Sequence, residues 1–438
     1  MLKHLKFIAG FFLLALIFHV KEKDLYLPFW GDELGMYAAP TWAFIQSLKS
    51  FLSSGIWPAT PLPHPPGLQL LSLPMFWNWN QGVELFRQVT LMFFTLGLIF
   101  FYKILRFFEF KKRFALLLSI LFFACPSYFT FSTYYTADTY ALPLLLGFLF
   151  FVLKDNLFWA FVLGLFAGLT RGSTLFVLPG LFLFLLLTKR LRLKNTFVLL
   201  APFLGLLPFL FWQQSHVGSF FYHESFTKGH WGSLSFLDFK HALEVFFLFN
   251  YKWLLVWGGL FFWGTSLLFK KRELFWHPSQ WQGLGFAFFC GILPTSVFFF
   301  HAHPLERYGM MFFPLILLFL AYPLKDRIFT LLISIFLFVS YIKGQEGFAS
   351  PAPESYGGTY DNTLTSRIVA IKGDALVRTL QVSNPEVKVL APEPYTALFE
   401  HQEIFGLPRR EGKETGEKVV VTDSFNHAPL FFISVVAD

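Results

Sequence analysis

The sequence predicts a polytopic α-helical membrane protein with a small C-terminal α/β domain outside the bilayer. Three observations lead there. The chain of 438 residues is 55% hydrophobic and only 14% charged, with 64 phenylalanines, whereas a soluble domain carries about 25% charged residues. The apolar residues fall in runs that approach the roughly 20 residues a spanning helix needs. The character of the chain then changes after residue 342: residues 1–342 carry a net charge of +12 and residues 343–438 a net charge of −4. This composition excludes a soluble enzyme, a disordered protein and a disulfide scaffold. Cys125 and Cys290 both sit in apolar runs and read as packing residues.

Spans are expected near 5–20, 85–105, 114–132, 138–153, 157–170, 173–188, 196–213, 244–269, 282–300, 309–324 and 328–342, about eleven in all. The first has the Lys3 and Lys6 flank of a signal peptide but no small-residue cleavage site before Lys21, so it reads as a retained anchor. Residues Gly168 to Thr174 interrupt an otherwise continuous apolar stretch. With the N-terminus inside, 17 of the 26 lysines and arginines of residues 1–342 fall in short inner loops. That agrees with the positive-inside rule and places the N-terminus in the cytoplasm. The overall charge of +8 is then a topology signal and implies no nucleic-acid partner. No internal repeat is evident.

The first outer loop, about 21–84, is long. Pro40 suits the first turn of a helix. Trp42, Ile45, Leu48 and Leu52 follow at helical spacing opposite Gln46 and Lys49, as in a helix lying along the membrane surface. The stretch PATPLPHPPGLQLLSLP is incompatible with a spanning helix and suits a turn into a second surface helix. Trp30, Trp42, Trp57, Trp77 and Trp79 lie in or near this loop, as an interfacial belt or as sugar- and isoprenoid-binding surfaces. The tail, residues 343–438, opens on turn residues (SPAPESYGG). It has strand-like runs at Val387–Leu390, Lys418–Val421 and Leu430–Val436. It reads as an extracytoplasmic soluble domain after a transmembrane domain of residues 1–342.

Under this topology the uncommon polar residues gather on the outer side. Asp32, Glu33 and His64 lie in the first outer loop. Asp138 stands between the third and fourth spans and Arg171 between the fifth and sixth. His216, His223, Glu224 and His230 follow the seventh; His301, His303, Glu306, Arg307 and Tyr308 open the tenth. Ionisable groups at membrane depth are costly and default to function. Each also has a plainer role: Asp32 or Asp138 as a helix cap, Glu33 as a solvated charge, His64 as a turn residue, Arg171 or Arg307 as an interface anchor. The pair His301 and His303 lacks a third ligand for zinc. What the plainer roles leave unexplained is the order and spacing of the whole set.

That order resembles the GT-C superfamily of membrane glycosyltransferases, nearest to its protein O-mannosyltransferase, lipid A aminoarabinose transferase and RgtA/B/C/D-like groups. GDELGMY resembles the acidic motif of the first outer loop, and PHPPGLQLL the H-x-P-P segment that follows it. ELFRQVTLMFF, with Arg87, is similar to the start of the next span. ACPSYFTFSTYYTADTYALPLLL resembles a proline-ended span leading to an Asp that opens the next. GLFAGLTRGSTLFVLPG resembles a further motif, with Arg171 where lysine is usual. HPLERYGMMFFPLILL resembles the RY segment, short of one proline. The likeness covers about residues 1–325.

The resemblance implies a GT-C-like fold and inverting transfer of a sugar from a polyprenyl-phosphate carrier to an extracytoplasmic acceptor hydroxyl on a glycolipid, polysaccharide or protein. The residues are compatible with that chemistry, which needs a base for the acceptor hydroxyl and cations for the departing phosphate. Asp32 is the expected base, and Glu33 orients it or the acceptor. Arg171 and Arg307 suit the carrier phosphate. Asp138 binds donor hydroxyls or holds an arginine, and His64 and Tyr308 belong to the donor pocket. A divalent metal is possible; no cofactor follows from the residues themselves. The alternatives are a lipid-linked sugar transporter or flippase and an O-antigen ligase or polymerase-like enzyme. The first calls for functional charges at mid-membrane or on both faces, the second for a large late outer loop.

Overall fold

A computed structural model describes residues 15–19, 21, 22, 25, 37–54, 65–77, 82–217, 278–296, 310–321, 388–390, 417–424 and 430–437. Residues 15–19 are helical. The first outer loop contributes α1 (Ala39–Ser54) and α2 (Gly67–Trp77). The bundle follows as α3 (Gly82–Phe107), α4 (Lys112–Ala124), α5 (Pro126–Phe131), α6 (Ala137–Leu153), α7 (Leu157–Thr170), α8 (Val177–Leu187), α9 (Leu193–Leu199) and α10 (Ala201–Val217). Later come α11 (Pro278–Ala287), continued by a π-turn at Phe288–Ile292, and α12 (Phe313–Ala321). The expected spans 244–269 and 328–342 lie outside the described residues.

Among the described residues, Glu84–Phe107 and Leu193–Ser215 are long and apolar enough to cross a bilayer, and Ala137–Leu153, Leu157–Thr170 and Gly172–Leu187 are shorter apolar helices. Large apolar side chains point outward along them. Phe158, Leu187, Leu193, Phe197 and Phe211 are each at least 60% exposed. Such a surface is stable against acyl chains and not against water, and the protein is a membrane protein.

Two expected spans are broken. The run 114–132 divides at Cys125, whose φ of −58° and ψ of 124° is the extended conformation forced on a residue before proline; Pro126 then starts α5. The run 173–188 begins as a 3-10 turn, Gly172–Phe176, before α8. Cys125 and Cys290 are both buried, as expected of packing residues. In α1 the buried face carries Thr41, Phe44, Ile45 and Ser47, while Leu52 is 65% exposed. Of the apolar stripe, Ile45 packs into the protein and Leu52 is left open, as on a helix lying along a membrane surface. The second loop helix, α2, is sunk rather than surface-lying along one face: Leu68, Gln69, Ser72 and Met75 are buried, and it packs against α7, α3 and α6.

Helix α7 is the hub, packed against α6, α9, α10 and α2. Glycines make its contact with α10 close. A Cβ at Gly168 would fall on the Pro202 carbonyl oxygen, and one at Gly205 on the Leu165 carbonyl oxygen. Small residues four apart, here Gly164 and Gly168, let helix backbones touch within a bilayer. Gly168→Leu is therefore expected to lower the stability of the detergent-solubilised protein by about 2–3 kcal/mol, read as a lower thermal midpoint.

The two ends of the bundle differ. At one end the helices reverse through tight turns centred on Glu109, Asp155 and Lys189, with φ of 65°, 54° and 56°. Each closes a Schellman motif, with Phe110 N–H bonding Leu105 O, Asn156 N–H bonding Phe151 O and Arg190 N–H bonding Leu185 O. The exposed Lys111, Lys112, Arg113, Lys154, Lys189, Arg192 and Lys194 lie here. Arg190 donates to Leu153 O at 2.6 Å and pairs with Asp155 at 3.3 Å. A left-handed conformation costs a side chain about 1–2 kcal/mol, so Glu109→Gly is expected to raise stability by about 1 kcal/mol in the same melting assay.

In the C-terminal region, β1 (Lys388–Leu390), β2 (Glu417–Ser424) and β3 (Leu430–Ala437) form one sheet. β1 pairs parallel with β2, and β2 pairs antiparallel with β3, Glu417 opposite Ala437. The three strands overlap the strand-like runs at Val387–Leu390, Lys418–Val421 and Leu430–Val436.

Candidate functional site

The other end of the bundle gathers the polar groups. Thr136, with φ −135° and ψ 153°, caps α6 by accepting from Thr139 N–H at 3.4 Å. The cap is thus a threonine, and Asp138 is left in the first turn, where the helix dipole favours a negative charge. Arg171 ends α7 in an extended conformation, φ −150° and ψ 118°. Its N–H bonds Ala167 O at 2.9 Å, and its carbonyl accepts from Thr174 N–H at 3.2 Å and Thr174 Oγ1 at 2.7 Å. Backbone clamping on both sides fixes the direction of the side chain.

The two meet. Arg171 Nε lies 3.0 Å from Asp138 Oδ1, with Asp138 fully buried and Arg171 9% exposed. Neither Asp138 oxygen has a hydrogen-bond partner, so the pairing with Arg171 is one of charge. The plainer roles, Asp138 as a cap and Arg171 as a snorkelling anchor, are both replaced by a buried ion pair. Such a pair survives desolvation only when its geometry is good.

The segment carrying α1 and α2 comes to the same place. Gly67 is seated so tightly on Thr170 that a Cβ there would collide with its Oγ1 and backbone N. The PPG segment therefore docks on the residue preceding Arg171, and only glycine permits the approach. One turn on, Ser72 donates to Leu68 O at 2.7 Å and accepts from the Tyr135 hydroxyl at 2.7 Å. The Tyr135 hydroxyl also lies 3.2 Å from Thr41 Oγ1 of α1. Burial pushes the Tyr135 phenol well above its ordinary pKa, so it remains a neutral donor. Arg87, 2% exposed, donates from Nη1 to Thr133 O at 3.1 Å and stands 5.7 Å from the Tyr134 ring centroid. Thr90 donates to the Tyr140 hydroxyl at 3.4 Å. Loop helices, the 132–136 segment and the ends of α6 and α7 are thus joined by polar contacts.

Of the residues singled out in sequence, Asp138 and Arg171 are brought together. Asp32, Glu33, His64, Arg307 and Tyr308 lie outside the described residues, as do His223, Glu224, His230, His301 and His303. His64 directly precedes Pro65, and Arg307 precedes the buried Met310 by three positions. Gln69 escaped sequence reasoning. It is fully buried, and neither its Nε2 nor its Oε1 has a partner. Its signal was a lone amide inside the apolar run GLQLLSLPMFW, a residue type seldom buried. Among the described residues no group of three His, Cys, Asp or Glu could hold a metal. Asp138 faces a guanidinium, which disfavours a cation there.

No family model and no curated protein matches the sequence. Among solved structures, the crystal structure of ArnT from Cupriavidus metallidurans bound to undecaprenyl phosphate is similar at a TM-score of 0.51 and 15% identity, over 91% of this chain and 75% of that one. The apo structure of the same protein gives 0.45 at 16% identity, over 91% and 76%. The chain therefore has a fold similar to that of ArnT, a lipid A aminoarabinose transferase of the GT-C superfamily, the fold that its sequence motifs predict.

Proposed function

We propose that the protein is an inverting GT-C-type glycosyltransferase that moves a sugar from a polyprenyl-phosphate carrier to an extracytoplasmic acceptor hydroxyl. The observation that carries this reading is the buried Arg171–Asp138 pair, held at the end of the bundle opposite the basic turns and under the docked PPG segment. A guanidinium has five N–H donors; Nε faces Asp138, and the planar group suits a phosphate. The ArnT structure of similar fold was determined with undecaprenyl phosphate bound, which supports a carrier of that class.

In this reading Asp32 accepts the proton of the acceptor hydroxyl as its oxygen attacks the anomeric carbon. The bond from that carbon to the phosphate oxygen breaks, and the carrier phosphate leaves with both electrons. Arg171 and Arg307 stabilise the charge that develops on it. Attack from the face opposite the phosphate inverts the anomeric carbon. Glu33 orients Asp32 or the acceptor. His64 and Tyr308 line the donor side, each close in sequence to a described residue of the bundle. The N-terminus is cytoplasmic, and residues 343–438 form an extracytoplasmic domain.

The deciding experiment is a transfer assay with the purified protein and a panel of undecaprenyl-phosphate sugars. Release of undecaprenyl phosphate with sugar joined to an acceptor supports the reading. Failure with every donor, with movement of the lipid-linked sugar between liposome leaflets, replaces it with a transporter. Arg307→Ala is expected to raise the donor KM by about 10-fold or more, as loss of a charged hydrogen bond to phosphate does; an unchanged KM removes Arg307 from the site.

A further inference from the structure

The basic end of the bundle concentrates charge on two turns that are tied to each other. The α6–α7 turn carries Lys154, and the α8–α9 turn carries Lys189, Arg190, Arg192 and Lys194; all but Arg190 are exposed. Asp155 is the single carboxylate of the two turns. Arg190, 35 positions away, pairs with it at 3.3 Å while donating to Leu153 O at 2.6 Å. Lys154 Nζ and Arg190 Cζ stand 5.2 and 5.7 Å from the centroid of one ring, that of Phe107 at the end of α3. The chain around Arg190 is itself fixed: its N–H bonds Leu185 O, and its carbonyl accepts from Asn195 Nδ2 at 3.0 Å. Apolar surface adjoins the cations on both turns. Asn156 caps α7 by accepting from Trp159 N–H at 3.4 Å, and Phe158 and Trp159 are exposed in the first turn of that helix. Leu193 and Phe197, four apart and so on one face of α9, are exposed as well. α7 and α9 pack against each other.

We infer that these two turns form a binding site for an anionic phospholipid of the leaflet that this end of the bundle faces. Topology asks only that cations gather on one side of the bilayer. It does not ask that two turns distant in sequence be tied together, nor that a fixed arginine take up their one carboxylate. That arrangement leaves Lys154, Lys189, Arg192 and Lys194 exposed with no counter-charge from either turn. Basic clusters between helices at the membrane surface attract anionic headgroups, and here the cations stand next to exposed aromatic and aliphatic side chains. A phospholipid with a net negative headgroup complements both: its phosphate meets the cations, and its acyl chains cover Phe158, Trp159, Leu193 and Phe197. A zwitterionic headgroup brings an ammonium of its own, which the cluster repels. An acidic soluble protein matches the charge and leaves the apolar side chains uncovered. A lipid bound here joins the start of α7 to α9 and stabilises the bundle by mass action. The site lies at the end opposite Asp138 and Arg171, so it does not depend on the glycosyl-transfer reading.

The test is lipid retention by the full-length protein in detergent, read by native mass spectrometry, with phosphatidylglycerol and phosphatidylcholine of the same acyl chains added in turn. The wild type is expected to bind phosphatidylglycerol about 10-fold or more tightly than phosphatidylcholine, and its thermal midpoint to rise with the first lipid. The triple variant Lys154→Gln, Arg192→Gln, Lys194→Gln is expected to bind the two lipids to within about twofold of each other. Its midpoint without lipid should match the wild type, because all three side chains are exposed. Lys154→Gln alone, expected to weaken phosphatidylglycerol binding by about fivefold, gives the same reading should the triple variant not fold. The control is Lys111→Gln, Lys112→Gln, Arg113→Gln, which removes as many charges from the α3–α4 turn and should keep the preference. Equal retention of both lipids by the wild type overturns the site and leaves the basic surface to topology or to an acidic partner. A preference that survives in the first triple variant overturns it too. Equal loss in both triple variants replaces it with diffuse charge over the whole face.

Discussion

Arg171→Ala is expected to destabilise the protein by about 3–5 kcal/mol, the cost of leaving a buried carboxylate without its counter-charge. Asp138 is fully buried and Arg171 Nε stands 3.0 Å from it, so the variant leaves a bare carboxylate inside the protein. Thermal unfolding in detergent reads the loss. The companion measurement is a double-mutant cycle with Asp138→Asn. The double variant is expected to be more stable than Arg171→Ala alone, because no bare charge is left inside. Additive effects would mean that the pair does not couple and would remove it as an organising feature of the site. Sugar transfer by Arg171→Ala is expected to fall as well, since the proposed function gives the same guanidinium the carrier phosphate.

Asp32→Asn is expected to reduce sugar transfer by about 10²–10⁴-fold, the usual range for loss of a general base, with membrane insertion and melting near those of the wild type. An amide keeps the size of the carboxylate but cannot take the acceptor proton. The loss should sit in kcat, with donor binding little changed, because the proposed function leaves the donor phosphate to arginines. Full activity in Asp32→Asn would sink the base assignment and turn attention to Glu33.

The large architecture was legible in the hydropathy pattern, and the reason is the bilayer. Apolar runs at 85–105, 138–153 and 157–170 coincide with α3, α6 and α7, because a lipid-facing segment has to satisfy its backbone internally. The loop helices were legible too, from Pro40 at the start of α1 and from the PPG turn before α2. Their depth was not. α2 is buried because Gly67 admits a close approach to Thr170, and no periodicity records such an approach. The break at Cys125 falls at the pre-proline position of the segment that resembles a proline-ended span, although hydropathy alone runs on to residue 132.

The candidate site divides the same way. Its charged members were identifiable singly, since ionisable residues are rare in apolar sequence and the basic turns mark the opposite face. That Asp138 holds an arginine was one of its two sequence readings; which arginine it holds was not legible, and the structure makes it Arg171.

The sequence by itself determined the membrane class, most helix positions, the segregation of polar residues from the basic end, and the superfamily likeness. All of these follow from local composition and order along one chain. The tertiary structure alone decided that Asp138 pairs with Arg171, that the first outer loop docks on Thr170, and that Gln69 is buried with nothing to bond. Which side chains meet depends on how each helix is rotated and how closely its neighbours approach. Here that is set by backbone contacts at Gly168, Gly205 and Gly67.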